Sequence, residues 1–409
     1  MIAQRISSDR GIGILERGAG DWHVATRRID PTTYERFAWL DGATATTYAD
    51  IFAMSKRRLR RPTDMDIVID GPQEDQEAIR SFLYYLKISG NPILPPMGLS
   101  SARYGGFRFW DAEAWMLPVY CFTNPDVAKL ATAWRRENSG DHFAWEAGPA
   151  GQDETPPEFT GAIHVAGWAV WWSRRAEAFG LATAADTEGL ARIALKQFQE
   201  HAAATDRGIE IRSVESPDEG RLRNNDLVTN LLAKMVAELC GEREWAGRVV
   251  IPTAADGVPQ TFDNDHMRTY QQAAALLSLF PLEWPFDART QKAMFERYKD
   301  KATKNGPAMS DAVHAVIAAR LGMPDEAYRL WRRAWQPFVD DRMQFRERRS
   351  SQEGYFVTGA AGCIESVLYG FAGIKVVRGP GAIPLKNGYS LSIRPRLPPA
   401  WKSLTIENL

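Results

Sequence analysis

From Glu74 onward, apolar side chains recur at helical spacing in segment after segment, and this repetition constrains the fold of the chain more than any other feature. The segments are 74–88, 111–121, 125–137, 161–180, 185–204, 225–240, 266–280, 288–303, 308–321, 324–335 and 357–372. Breakers separate them: Gly90-Asn91-Pro92, Asn124-Pro125, Pro156-Pro157, Gly257-Val258-Pro259 and Gly306-Pro307. Pro125 and Pro307 stand where first-turn prolines belong, and Gly180 and Gly322 where helices stop. About a dozen helices over ~300 residues, with no repeat of fixed period, argue against a regular solenoid. The expected fold is mainly α, an (α/α)6 barrel of paired helices closed into a ring. An irregular helical bundle is the alternative.

The flanks read differently. Residues 1–70 mix β-like pieces at 22–26 and 65–69 with turns such as Asp41-Gly42. After Gly373, residues 374–378, 389–394 and 404–406 read as short strands between Gly-Pro-Gly and Pro-Pro turns. The expected organisation is an N-terminal segment over 1–70, a barrel over 71–373 and a small C-terminal β segment over 374–409.

Charge and cysteine usage exclude several classes of function. The chain carries 50 basic and 51 acidic side chains, so it offers no basic field to nucleic acid or an anionic membrane. The run Lys56-Arg57-Arg58-Leu59-Arg60-Arg61 is a local exception, read as a solvated helix face rather than a polyanion site. Cys121, Cys240 and Cys363 are far apart in apolar helical contexts and read as reduced. No histidine and carboxylate cluster has metal-ligand spacing and no dinucleotide fingerprint is present, so neither metal nor organic cofactor is expected. No apolar run approaches the ~18 residues of a membrane span. Met1-Ile2-Ala3-Gln4-Arg5 lacks a signal-peptide apolar region, which makes a cytoplasmic location the expectation. Homo-oligomerisation is left open.

Three segments carry candidate chemistry. In 98–118 a glycine-rich loop delivers Tyr104, Phe107, Phe109 and Trp110, and Asp111 and Glu113 then open an apolar helix. Aromatic faces beside a carboxylate suit a sugar, whose C–H face stacks on a ring while its hydroxyls donate to the acid. The 14 tryptophans fit the same reading, and fit a large helical core equally well. Ser216-Pro217-Asp218-Glu219-Gly220-Arg221 reads as a loop held by proline and glycine, with Asn224 and Asn225 able to cap the next helix. Asp218 beside Glu219 would oppose its ionisation. In 345–362, arginines flank Glu347, and Glu353 follows six residues later. Taken singly, either acidic loop is also an ordinary surface loop.

In order along the chain these segments resemble glycoside hydrolase family 65, the α-glucoside hydrolases and phosphorylases. The first is similar to the family's Tyr-x-Gly-His-x-Phe-Trp-Asp-x-Glu signature, and the second to its Pro-Asp-Glu…Asn-Asn element, whose glutamate is the general acid. The third is similar to a Trp-Thr-Glu…Asn-Phe-Leu-Thr-Gly stretch, whose glutamate is the catalytic base of the hydrolases. The resemblance implies an inverting glycosidase with Glu219 as acid and Glu347 or Glu353 as base. It implies a short α-linked glucoside or related small carbohydrate as substrate. Inversion needs the two carboxyl groups roughly 6.5–9.5 Å apart with water between them.

Phe143-Ala144-Trp145-Glu146, Gly161-Ala162-Ile163-His164 and Tyr270-Gln271-Gln272-Ala273 resemble further family elements. They place Trp145, Glu146, His164 and Gln272 with Tyr104, Phe107, Trp110 and Asp111 among the substrate-binding residues. His164 also reads as a core histidine. Ser350-Ser351 beside Arg348-Arg349 would suit phosphate, which keeps phosphorolysis as the alternative, with a non-catalytic sugar-binding barrel as a third reading.

The chain departs from the family at four pocket positions, which hold Phe107, Gly220, Gln271 and Ala274. Each change removes a polar or stacking contact to a sugar, at roughly 1–3 kcal/mol for a buried hydroxyl left unpaired. A unit other than glucose, or replacement contacts from Arg108 and Arg221, would accommodate them. The family's large N-terminal β-sandwich is expected to be truncated or missing, with ~65 residues ahead of the match.

Overall fold

The structure is a computed structural model. It describes residues 64–409 apart from 102, 352 and 353, together with Asp30 and three N-terminal strands. Glu353, the turn at Asp41 and the basic run at 56–61 lie outside the described residues. The chain divides into two compact units, Met1–Asp64 and Met65–Leu409. In the first, β1 (Ile2–Ser7), β2 (Trp22–Arg28) and β3 (Thr33–Leu40) form an antiparallel sheet in the order β1-β3-β2, with Ile2 opposite Ala38 and Trp22 opposite Leu40.

The second unit is the expected (α/α)6 barrel, an inner ring of six helical segments alternating along the chain with six outer ones. The inner ring consists of a π-helical turn (Ala112–Met116) running into α2 (Leu117–Thr123), then α4 (His164–Ala176) and α6 (Leu227–Leu239). A 3-10 turn (Ala274–Ser278), α9 (Met309–Arg320) and α11 (Val357–Glu365) complete it. Each segment packs on the next, and α11 returns to the π-helical turn, which closes the circle. The outer partners are α1 (Gln73–Ser89), α3 (Pro125–Glu137), α5 (Ala184–Glu200), α7 (Arg243–Arg248), α8 (Ala288–Tyr298) and α10 (Pro324–Trp335).

Side-chain pattern explains which ring a helix joins. Every residue of α11, and every residue of α9 but the last, is buried, as a helix wrapped by neighbours requires. In α10 only Ala327, Leu330, Trp331, Ala334 and Trp335 are buried, the single stripe of a helix with one face in water.

The α8 helix stops at Tyr298 rather than 303, α7 is not among the expected helices, and two further segments change character. Residues 266–280 form only the 3-10 turn, because their backbone groups are bonded elsewhere: Tyr270 pairs with Lys301 and Thr303, and the amides of Gln271 and Gln272 go to the Asp218 carboxylate. Residues 202–204, expected to end α5, instead enter a hairpin of β5 (Ala202–Thr205) and β6 (Gly208–Ile211). Burial of Ile209 and Ile211 and a bond from the Val250 amide to the Ile209 carbonyl outweigh the helix propensity of three alanines.

The ends of this unit meet. Strand β4 (Asp66–Asp70), grouped by the sequence reading with the N-terminal segment, pairs with β12 (Ser403–Glu407), Ser403 opposite Asp70. Trp401 donates from its indole to Asp75 at 2.9 Å, and a Cβ on Gly71 would stand 2.8 Å from that ring. The remaining C-terminal strands, β9 (Ile374–Arg378), β10 (Ile383–Pro384) and β11 (Tyr389–Ile393), form a sheet in the order β10-β11-β9. Among the described residues, no helix is long and apolar enough to cross a membrane.

Candidate active site

The loops leading into the inner helices meet around a cavity of about 670 Å³, counting the space open to solvent. Tyr104, Phe109, Trp110 and Asp111 reach it ahead of the π-helical turn, and Trp145, Glu146 and Phe159 ahead of α4. Glu219 reaches it ahead of α6, Gln271 and Gln272 ahead of the 3-10 turn, and Glu347, Arg348 and Phe356 ahead of α11. Inner-helix N-termini, with their partial positive charge, therefore surround it and favour carboxylate and hydroxyl oxygens.

Glu219 sits at the tip of a hairpin whose strands are β7 (Val214–Glu215) and β8 (Leu222–Arg223). Glu215 closes the tip by accepting the Gly220 amide at 2.5 Å, and Asp218 ties it to the 270–273 loop. Burial, then the charges of Asp111 and Glu215, push the Glu219 carboxyl up to about 8, against the pull of Arg348. Sequence proximity pointed to Asp218 as the neighbour that opposes ionisation; folding turns its carboxylate onto two amides and brings Asp111 up instead. The helix cap is likewise Asp226, which accepts the Thr229 amide at 2.8 Å. Asn224 and Asn225 bond the amides of Ser213 and Ile211.

Glu347, 4 % exposed, is held by two hydrogen bonds and an ion pair. The Tyr104 hydroxyl lies 2.8 Å and Arg103 Nη1 3.0 Å from Oε2, and Arg348 Nε lies 3.2 Å from Oε1. Asp111 accepts from the Thr358 hydroxyl at 2.7 Å, yet burial carries its carboxyl up to about 7. Trp145 and Phe159 stack at 6.0 Å, and Trp110 packs edge-on against Trp115 at 4.5 Å. Gln272 is 5 % exposed, and its Oε1 has no hydrogen-bond partner among the described residues.

The cavity thus gathers Glu219, Glu347, Tyr104, Trp110, Asp111, Trp145, Glu146 and Gln272 from segments as much as 243 residues apart. Two expected residues do not line it. Phe107 folds back over Gly105, and His164 is wholly buried behind Trp110 and Trp145, at ring distances of 5.1 and 5.4 Å. Arg108 and Arg221 do not take over sugar contacts in the wall. Arg108 is fully buried, bonding Glu113 and the carbonyls of Pro92 and Ala131, and Arg221 is exposed. Arg348 is the guanidinium in the wall, and Arg103 lies over the Tyr104 ring and pairs with Glu347. Sequence reasoning missed Arg103, Thr358, Phe159 and Glu215. The only signal for Arg103 was its place beside the tyrosine of the glycine-rich loop.

The fold and site define an (α/α)6 barrel whose inner-helix loops bring two carboxyl groups and several aromatic faces to one cavity. Residues 85–185 and 258–365, slightly more than half of the chain, match the Glycosyl hydrolase family 65 central catalytic domain, and the chain belongs to that family. It is 29 % identical over 394 residues to a kojibiose hydrolase of Flavobacterium johnsoniae and 27 % over 390 residues to one of Mucilaginibacter mallensis. These alignments cover 84 % and 83 % of this chain and 55 % of each relative. A kojibiose phosphorylase of Escherichia coli is 24 % identical over 82 % of this chain and 53 % of its own length. The chain therefore spans about half the length of the curated relatives it matches. A solved structure of a candidate kojibiose phosphorylase from the human microbiome superposes with a TM-score of 0.68 at 15 % identity, covering 96 % of this chain and 71 % of that one.

Proposed function

We propose that this protein is an inverting glycoside hydrolase of short α-linked glucosides, with residues 71–373 as its catalytic barrel. Glu219 protonates the leaving oxygen, and Glu347 takes a proton from the water that attacks the opposite face of the sugar. The observation that carries this reading is the asymmetry of the two carboxyls in one cavity. Glu219 is held protonated near neutral pH, while Glu347 meets only donors, which a proton-accepting carboxylate satisfies. Trp110, Trp145 and Phe159 offer apolar faces to the ring, and Asp111 and the unpartnered Gln272 carbonyl oxygen accept its hydroxyls. Kojibiose is the first substrate to try, since kojibiose-acting relatives match most of the chain. A cytoplasmic location belongs to the same reading, supported by three cysteines of which none forms a disulfide.

The phosphorylase reading has one observation in its favour, the Arg348 guanidinium in the cavity wall. Against it, the Glu347 carboxylate already occupies the space between Arg103 and Arg348, and the Ser351 hydroxyl is spent on the backbone of Arg348. The test is a disaccharide panel, kojibiose included, with and without inorganic phosphate, following the product anomer by NMR. Hydrolysis without phosphate to the β-anomer is expected. Phosphate-dependent release of a sugar 1-phosphate would select the phosphorylase, and an α-anomeric product would rule out inversion.

A further inference from the structure

Arg103 is used by no step above, yet it reaches the site through the only run of three consecutive left-handed residues among those described. Tyr104 has φ 62° and ψ 25°, and Gly105 and Gly106 follow with φ 59° and 72°. Glycine adopts this conformation freely; an aromatic residue pays about 1 kcal/mol or more for it. The turn faces Arg103 and Tyr104 the same way, with the guanidinium 4.9 Å over the tyrosine ring and both side chains ending on Glu347 Oε2. That oxygen accepts the Tyr104 hydroxyl and pairs with the Arg103 guanidinium, while Oε1 receives only the longer 3.2 Å contact from Arg348. Oε2 is therefore held by a short hydrogen bond and the Arg103 charge together, while Oε1 is engaged by Arg348 alone.

We propose that Arg103, with Tyr104, is a positioning residue that fixes the Glu347 carboxylate and thereby makes Oε1 the atom that accepts the proton. The proposal rests on the glycosidase reading for its chemistry. In that step the water oxygen bonds to the anomeric carbon and the water proton passes to Oε1. The bond from the anomeric carbon to the leaving oxygen breaks, and the Glu219 proton goes to that oxygen. Atoms and charge balance with no further reactant. Without Arg103, Oε2 holds one donor, the carboxylate is free to rotate, and its two oxygens become near equivalent. A misplacement of about 1 Å at a reacting group is worth roughly a hundredfold in rate.

Arg103→Met keeps the apolar stem and removes the fork, and the side chain is 32 % exposed, so its loss leaves the core intact. The crystal structure of R103M and its steady-state kinetics are the experiment, with R103K alongside. The expected structure shows the Glu347 carboxylate turned away from its native position. The expected kinetics are a kcat lowered about a hundredfold with KM within twofold, partly restored in R103K. A Glu347 carboxylate that stays in place in R103M overturns the proposal, as does an unchanged kcat. Absence of glycoside cleavage by the unaltered protein would overturn the glycosidase reading and the proton-accepting role of Oε1 with it. The hold of Arg103 on the Glu347 carboxylate is still decided by the R103M structure, which is read without turnover.

Discussion

Replacing Glu219 by glutamine should slow turnover by orders of magnitude and stabilise the fold, and the two effects should follow different pH curves. An ordinary glutamate titrates at 4.5, and the cavity raises Glu219 to about 8. Between those values the unfolded chain ionises this carboxyl while the folded chain keeps its proton. The contribution to stability is therefore fully present below pH 4.5 and is lost progressively as pH rises toward 8. Each unit in that window costs up to about 1.4 kcal/mol, and the roughly 2.5 units between pH 4.5 and 7 make about 3.4 kcal/mol an upper bound at pH 7. The cavity is open to water and Asp111 shares the titration, so roughly 2 kcal/mol is the expected size. Glutamine fills the same space and cannot ionise. In urea unfolding, E219Q should match the unaltered protein near pH 4, exceed it by roughly 2 kcal/mol near pH 7, and hold a constant advantage above about pH 9. The same variant should lose ~10²–10⁴-fold in kcat, the usual share of a general acid. A stability difference that does not change with pH would refute the electrostatic account, and undiminished turnover would refute the catalytic one.

Other outcomes test separate parts of the site. Glu347→Gln should cost ~10²-fold or more in kcat while Glu353→Gln leaves the rate near its starting value, and the reverse pattern in steady-state assays would exchange the base. The kcat/KM profile should fall as pH rises through about 8, where Glu219 gives up its proton; a flat profile to higher pH would exclude it as the acid. Trp145→Ala should raise KM about tenfold, on the order of 1.4 kcal/mol of lost stacking, with a smaller change in kcat. Glu113→Ala should cost about 3–5 kcal/mol in urea unfolding, because it leaves Arg108 and Arg135 buried without their shared carboxylate.

Closure into a ring rather than an irregular bundle was left to the tertiary structure. The amphipathic pattern by itself determined a mainly α chain and several helix bounds: the expected 125–137 and 324–335 coincide with α3 and α10. That pattern is local, since a helix must turn one stripe or its whole surface inward, and the spacing of its apolar residues records which. Glu219 and the 347–353 stretch could be singled out for another reason, because loop chemistry and a family resemblance mark candidates whatever their distance in space, with Glu347 and Glu353 both left open as the base. What only the tertiary structure decided was which groups meet. Residues 266–280 carry a helical pattern but form one 3-10 turn, because Asp218, some 50 residues away, takes two of their amides. His164 and Phe107 looked like pocket residues, yet packing put one behind the aromatic wall and folded the other over its own loop. The raised carboxyl of Glu219 depends on burial in the cavity and then on Asp111, 108 positions earlier, and the clamp on Glu347 on Arg103 and Tyr104, more than 240 positions earlier. Electrostatic and hydrogen-bond energies fall off over a few ångströms, so they belong to neighbours that closure of the ring creates and linear order does not contain.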